Sequence, residues 1–168
     1  FLKQPNFENS LIRFFRLRNK KGEFMQPQGQ IKKVEVCDAI PEVNAELGLG
    51  HTDKLLYIER VRKHEDVVVL SERIWLPERL FKNLEEIPIA EFGNLLYPFY
   101  YQHCGQFVSS ATERLTFEKN IKDSYLNNHL EDPLVKVCRI AKNLEGVAVE
   151  YRESYGLADN FHYEITIN

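Results

Sequence analysis

Short runs of alternating polar and apolar residues, joined by tight turns, limit the fold of this chain more than any other feature. The clearest hairpin comprises residues 54–62 and 67–76, and a second comprises residues 134–142 and 147–154. Residues 107–117 alternate strictly between two faces, as expected of a β-strand. Strands joined by such short turns pair antiparallel. Further strands are predicted at residues 11–18, 31–38 and 161–167.

Helices interrupt only a few of these connections. We predict them at residues 41–47, from residue 77, at residues 93–103 and at residues 122–130. The chain has 168 residues, of which 43% are hydrophobic, enough for one domain with its own core. The predicted class is therefore α+β, a single antiparallel β-sheet with flanking helices.

Composition excludes several classes of function. The formal net charge of −3 gives no overall positive field for gripping nucleic acid, so a DNA partner would have to be held by another segment. No apolar run reaches membrane-spanning length, and no signal peptide is visible. Cys37, Cys104 and Cys138 form no CxxC pair, and the five histidines are scattered. We predict a cytoplasmic protein without a metal or cofactor.

Two arginines and a glutamate interrupt the apolar face of the first hairpin. Strand alternation puts Arg60 and Arg62 on one face of its first strand and Glu72 on one face of its second. A three- or five-residue loop makes these faces coincide, and a three-residue loop pairs Arg60 with Leu70 and Ile58 with Glu72. A buried charge without a partner is costly, so each charge should be paired.

Two interpretations of these charges remain open. In one, Arg60 and Glu72 form a self-satisfied bridge at the edge of the sheet. In the other, the two guanidiniums bind a phosphate or carboxylate, and Glu72 accepts hydrogen bonds from the ligand.

Glu150 and Arg152, beside Ala148 on a later strand, are typical of a solvated face. No Walker loop, GxGxxG or GxSxG motif indicates catalysis.

Four stretches occur in an order and spacing that are similar to a known family. They are Leu-Leu-Tyr-Ile-Glu-Arg-Val-Arg at 55–62, Leu-Ser-Glu-Arg-Ile-Trp-Leu-Pro at 70–77, Gly-Asn-Leu-Leu-Tyr at 93–97 and Val-Glu-Tyr-Arg-Glu-Ser-Tyr at 149–155. In these stretches the chain resembles the UTRA domain, the effector-binding module of GntR-family regulators of the HutC subfamily. The likeness runs from about Leu11 to the C-terminus.

The resemblance implies a chorismate-lyase-like fold and a homodimer that binds a small metabolite. By resemblance, Arg60 and Arg62 hold an acidic group, Glu72 and Glu150 bind polar groups, and aromatic side chains line the wall. The matched effector-binding positions are Arg60, Arg62, Glu72, Asn94, Leu95, Tyr97, Glu150 and Tyr155. No catalytic or metal-binding residue is implied.

The chain also departs from the family pattern. Where sugar-phosphate binders have a serine at the helix start, Asn94 and Leu95 stand here, and a later aromatic and arginine become Gly156 and Leu157. The two arginines favour an anionic effector, whereas the lost serine argues against a standard sugar phosphate. A carboxylate-bearing ligand remains open.

The predicted function is the effector-sensing and dimerisation domain of a bacterial transcription repressor. Phe1 and Leu2 resemble the end of a wing strand, so we expect residues 1–10 to link a missing winged helix-turn-helix domain to an effector-binding domain at 11–168. DNA would be bound only through that missing domain. Two alternatives stay open. One is a chorismate-lyase-like enzyme, and the other is a dimerisation module without an effector.

Overall fold

The computed structural model describes residues 15–19, 21–163 and 166–168. Its strands are β1 (Phe15–Leu17), β2 (Gln28–Cys37), β3 (Leu55–His64), β4 (Val67–Pro77), β5 (Val108–Glu118), β6 (Leu134–Asn143), β7 (Ala148–Leu157) and β8 (Phe161–Tyr163). The α-helices of these residues are α1 (Pro41–Glu46) and α2 (Leu96–Cys104). Short 3-10 helices lie at Glu78–Leu80, Leu84–Glu86, Ile89–Glu91 and Ala158–Asn160.

Six antiparallel strands in the order β2-β3-β4-β7-β6-β5 form one sheet, which confirms the predicted α+β class. In the described part of the chain, the small strands β1 and β8 pair with each other in a separate two-stranded sheet. Residues 1–14, which include the predicted linker and the start of the predicted strand 11–18, lie outside the described residues. The described part of the predicted last strand is β8 (Phe161–Tyr163), and residues 166–168 are not in a strand.

The turn of the first hairpin differs from the prediction. The connection is a two-residue turn at Glu65 and Asp66, whose φ angles of 51° and 64° are those of a tight hairpin turn. A β-bulge between Arg62 and Lys63 then shifts the register by one residue. The two charged faces therefore coincide as predicted, but Arg60 pairs directly with Glu72 instead of Leu70.

Each face of the sheet has its own core. One face packs against α2 and the 3-10 segments before it, through a cluster that includes Ile58, Ile74, Phe81, Phe92, Leu96 and Tyr100. The other face packs against α1 through Val43 and Leu47. Each fully buried aliphatic side chain contributes about 1.5–3 kcal/mol, so these clusters fix which side of every strand turns inward. No helix among the described residues is long and apolar enough to cross a membrane.

The start of α2 also differs from the prediction. The helix begins at Leu96 rather than at residue 93, and it ends as predicted at Gly105, which has a left-handed φ of 68°. Gly93 has a left-handed φ of 65°, which interrupts the helical path. The side chain of Asn94 accepts a hydrogen bond from the Gly29 amide (2.5 Å) instead of capping the helix.

The predicted helix at 122–130 is wrong, because this segment is a set of turns. Asp123 Oδ1 accepts hydrogen bonds from the Tyr125 and Leu126 amides (2.9 and 3.0 Å). The buried Asn128 side chain accepts from the Asp123 amide (2.8 Å) and donates to the Ile121 carbonyl (2.7 Å). Short polar side chains that bond nearby backbone compete with helical hydrogen bonds. Ser71 on β4 holds the segment against the sheet by donating to Asp123 Oδ2 (2.9 Å).

Replacing Asn128 should therefore unfold the loop. We expect Asn128→Ala to lower the free energy of unfolding by about 1–3 kcal/mol, since it leaves buried backbone groups without partners. Urea denaturation followed by circular dichroism measures the change. The exposed neighbour Ser124 provides the control, and Ser124→Ala should change stability by no more than about 0.5 kcal/mol. Equal losses in the two variants would contradict this account of the loop.

Candidate functional site

The pair Arg60 and Glu72 lies at the centre of the candidate site. The two residues are directly opposite each other on β3 and β4, which are interior strands, so the pair is not at the sheet edge as one interpretation had it. Arg60 is 0% exposed, and its Nε donates to Glu72 Oε1 at 2.7 Å. Its Nη1 donates to the main-chain carbonyl oxygen of Asn94 at 3.3 Å. The guanidinium therefore joins the sheet to the segment that leads into α2.

The second oxygen of Glu72 faces β7. Ser154, its direct neighbour on that strand, donates its hydroxyl to Glu72 Oε2 at 2.6 Å. Arg152 Nη1 lies 3.9 Å from the same oxygen. The Glu72 carboxylate is thus held between two buried guanidiniums, Arg60 on one side and Arg152 on the other.

Arg152 continues this network to Glu150. Its Nε and Nη2 donate to the two oxygens of Glu150 at 2.9 and 3.0 Å, a bidentate pair. Both residues are at most 2% exposed, so the predicted solvated face is wrong. They are buried because β7 lies inside the sheet, between β4 and β6 and beneath α2.

Two tyrosines of α2 complete the shell around Glu150. The Tyr97 hydroxyl donates to Oε1 at 2.9 Å, and the Tyr100 hydroxyl donates to Oε2 at 2.6 Å. Burial, with the neighbouring Glu150 carboxylate, raises the pKa of Tyr100 well above its ordinary value. The phenol therefore stays protonated and remains a hydrogen-bond donor.

Arg139 on β6 adds a further cation directly opposite Arg152. Its Nη1 donates to the Tyr97 hydroxyl at 2.9 Å, and its Nε and Nη2 lie 3.1 Å from Glu113 Oε2. The Tyr97 ring lies 5.8 Å from the Arg139 guanidinium and 5.3 Å from that of Arg152. Like charges on directly opposed strand positions repel each other, so this arrangement needs nearby anions and the face of the tyrosine ring.

Several buried charges of both signs lie on the α2 side of the sheet. The buried carboxylates there, among the described residues, are Glu72 and Glu150. Glu113 stands on the outer strand β5 and is partly exposed, and Asp123 bonds Ser71 on the opposite side. The buried guanidiniums on the α2 side are Arg60, Arg62, Arg139 and Arg152.

Residues 22–162 match the model of the UTRA domain family. The chain belongs to the UTRA domain family. This membership confirms the predicted function class, the effector-binding domain of a transcription regulator. No curated protein sequence matches the chain.

Solved structures share the fold of this UTRA domain. The ligand-binding domain of a protein assigned to the GntR family of transcriptional regulators, from Bordetella bronchiseptica, is 22% identical, with a TM-score of 0.78 over 92% of this chain and 96% of that one. The effector domain of PhnF from Mycobacterium smegmatis is 18% identical, with a TM-score of 0.73 over 86% and 88%. A second structure, of PhnF from Mycobacterium smegmatis, is 16% identical, with a TM-score of 0.74 over 99% of this chain and 70% of that one.

The structure brings most of the predicted effector-binding residues of this UTRA domain together. Arg60, Glu72, Tyr97 and Glu150 belong to one hydrogen-bonded network. Asn94 joins it through its main-chain carbonyl. Within the residues that the structure describes, no three His, Cys, Asp or Glu side chains lie close enough together to hold a metal ion.

The other predicted positions lie apart from this network. Arg62 is buried on the same side as Arg60, and its Nη2 donates to the Pro27 carbonyl at 3.2 Å. Leu95 is 38% exposed at the start of α2. Tyr155 lies on the opposite face of the sheet, where its ring is 5.9 Å from the Arg73 guanidinium and 5.8 Å from Lys136 Nζ. Successive side chains of β7 point to opposite faces of the sheet. Because Ser154 points toward Glu72 on the α2 side, its neighbour Tyr155 points to the other face.

Four members of the network were not predicted as site residues, namely Arg139, Arg152, Ser154 and Tyr100. Arg152 and Ser154 alternate with Tyr151 and Tyr155, so their common face with Glu150 is readable from the sequence. That this face is buried depends on the strand order, which places β7 beside β4.

The departure at Gly156 has a structural counterpart. A Cβ at this position would lie 2.7 Å from Cε2 of Phe161 and 3.0 Å from the Val69 carbonyl oxygen. The Phe161 ring of β8 therefore fills the space over Gly156. An aromatic side chain at residue 156, as in the family pattern, would displace this ring.

The Glu150 network gives a direct test of its contribution to the fold. Tyr100→Phe removes a hydrogen bond to a buried carboxylate, so we expect the free energy of unfolding to fall by about 1.5–3 kcal/mol. Thermal and urea denaturation measure the difference. Tyr101, the next residue of α2, is 56% exposed, and Tyr101→Phe should change stability by less than about 0.5 kcal/mol. If the two variants lose the same stability, the hydrogen bond to Glu150 is not significant.

Proposed function

We propose that this UTRA domain senses an anionic small molecule on the α2 side of its sheet. The observation that carries the proposal is the cluster of four buried guanidiniums on that side, two of which, Arg139 and Arg152, stand directly opposite each other. Like charges on opposed strand positions repel each other, so an anion placed beside them is stabilised. A ligand that supplies such an anion would bind favourably there.

The type of residue also favours an oxyanion. A guanidinium presents a planar fork of N–H donors that fits both oxygens of a carboxylate or phosphate. Tyr97 and Glu150, bound to Arg139 and Arg152, offer further polar groups beside it. The absence of the family serine at Asn94 favours a carboxylate over a standard sugar phosphate. A carboxylate-bearing metabolite is therefore the effector class that we propose.

The mechanism that we propose is a shift between two arrangements of a sensor homodimer. An effector that binds one arrangement more tightly changes the spacing of attached DNA-binding domains, and so changes operator affinity. In this scheme the chain is part of a cytoplasmic repressor of the HutC subfamily. DNA is contacted only through a winged helix-turn-helix domain that precedes this chain. The domain binds its ligand without turnover and without a cofactor.

The rival interpretations differ in what they require of the network. A purely structural bridge accounts for Arg60 and Glu72, which do pair. It does not require Arg139 and Arg152, each paired with its own carboxylate, to stand directly opposite each other in one buried layer. A lyase needs a carboxylate available for proton transfer. Glu150 instead accepts four hydrogen bonds, from Tyr97, Tyr100 and both ends of the Arg152 fork, which favours a binding role.

A thermal-shift screen of the chain against carboxylates, phosphorylated sugars, amino-acid derivatives and fatty acids tests the proposal. A ligand that binds only the folded state stabilises it by about 2.7 kcal/mol at a hundredfold excess over its dissociation constant. We expect at least one carboxylate to raise the melting temperature. The shift should be lost in Arg60→Lys, which keeps the charge but loses the planar fork.

The control is Arg114→Lys, a matched change at an exposed arginine of β5. Each variant is compared with its own ligand-free melting temperature, so a loss of stability alone does not count as a loss of binding. An unchanged shift in Arg60→Lys would contradict the site. Conversion of chorismate to an aromatic product would favour the lyase. No shift with any anion would favour the dimerisation module.

A further inference from the structure

A cleft of about 480 Å³ lies beside the candidate site. It lies between β2 and the segment before α2, and it is lined by Gly29, Gln30, Ile31, Ile89, Ala90 and Gly93. Ile31 is the direct strand partner of Arg60. A Cβ on Gly29 would be only 3.3 Å from Arg60 Nη1, so the bare glycine backbone separates the cleft from the guanidinium. The cleft therefore offers a route toward Arg60.

Asn94, which follows the cleft residue Gly93, forms two hydrogen bonds between the cleft and Arg60. Its main-chain carbonyl accepts from Arg60 Nη1 at 3.3 Å, and its side-chain Oδ1 accepts from the Gly29 amide at 2.5 Å. The absence of a side chain at Gly29 allows this approach, because a Cβ there would be 3.1 Å from the Asn94 carbonyl oxygen. With Asn94 in this position, Arg60 is completely buried.

Gly93, the residue before Asn94, is a point at which the backbone can rotate. Gly93 has a φ of 65°, a conformation that glycine leaves and enters at little cost. On its other side the 3-10 turn Ile89–Glu91 is short, and Ile89 is 44% exposed. The two Asn94 hydrogen bonds therefore join this segment directly to β2 and β3.

We propose that Asn94 is the gate of the effector site. The ligand enters through the cleft, and its anionic oxygen replaces the Asn94 carbonyl on Arg60. A carboxylate oxygen carries a negative charge and attracts the guanidinium more strongly than a neutral carbonyl oxygen does, so the exchange is favourable. The Asn94 side chain, through Gly29, sets how often the site opens. This inference rests on the proposed function for the identity of the ligand, but not for the gate itself.

The cleft walls also indicate the chemistry of the ligand atoms that lie outside its anionic group. Ile31, Ile89 and Ala90 present apolar surface, and the lining contains no charged side chain among the described residues. A ligand whose anionic group reaches Arg60 would place its remaining atoms against these walls. The ligand class is therefore a carboxylate with an uncharged, largely apolar body.

The gate is tested without a known ligand by the reaction of Arg60 with phenylglyoxal, which modifies accessible guanidiniums. Modification of the Arg60-containing peptide is followed by mass spectrometry in the whole chain. We expect slow reaction in the natural sequence and a roughly tenfold faster reaction in Asn94→Ala, which loses one hydrogen bond of the closed state. Asn94→Asp keeps an acceptor for the Gly29 amide and should restore slow reaction. Circular dichroism confirms that each variant is folded.

Gln28→Ala is the matched control, because Gln28 precedes Gly29 on β2, is exposed and is not part of the cleft lining. It should leave the reaction rate of Arg60 unchanged. Equal rates in Asn94→Ala and the natural sequence would overturn the gate, whether or not anions bind. If Asn94→Ala exposes Arg60 but no anion stabilises the chain, the gate stands and the proposed function fails.

Protection by simple carboxylates tests the ligand class in the same assay. At equal ionic strength, hexanoate should slow the modification of Arg60 in Asn94→Ala several-fold more than acetate. The gain comes from burying methylene groups of hexanoate against the apolar cleft walls. Equal protection by hexanoate and acetate would contradict the proposal that the ligand has an apolar body.

Discussion

The carboxylate of Glu72, held between the guanidiniums of Arg60 and Arg152, is the interaction on which the rest of the site depends. Through Arg60 it joins β3 and β4 to the segment before α2, and through Arg152 it joins them to β7 and Glu150. A buried ion pair is weak evidence for stability, because well-packed apolar residues often do as well. Removing one partner, in contrast, leaves an uncompensated charge. The charges of the network therefore depend on one another, and removing one destabilises the others.

The two faces of the sheet differ in the side chains that they bury. The face against α1 is closed by Val43, Leu47 and neighbouring apolar side chains, and it carries Tyr155. The face against α2 combines an apolar cluster with the charged network, so the same helix that covers the core supplies Tyr97 and Tyr100 to Glu150. Movement of α2 or of the segment before it would change both packing and charge pairing. This coupling is what a sensor requires to turn ligand binding into a change of shape.

The strands were predictable from the sequence because side-chain alternation is a local property. The hairpin of β3 and β4 was placed correctly, as was the common face of Arg60 and Glu72. Their direct pairing was not predicted, since it depends on the bulge between Arg62 and Lys63. The segment 122–130 has helical spacing, but Asp123 and Asn128 bond the backbone and override it. The burial of Glu150 and Arg152 required the strand order, a long-range property that no local pattern contains.

The central claim is that an anion binds at the buried guanidiniums, and Arg60 can report on it directly. Arginine Nε resonances of the labelled chain can be followed by NMR during titration with the carboxylate that stabilises it most. Our account predicts a saturable change at Arg60, and at Arg152 through Glu72, with none at the exposed Arg114. Changes confined to exposed arginines, rising linearly with concentration, would contradict the account and leave the network as a structural element alone.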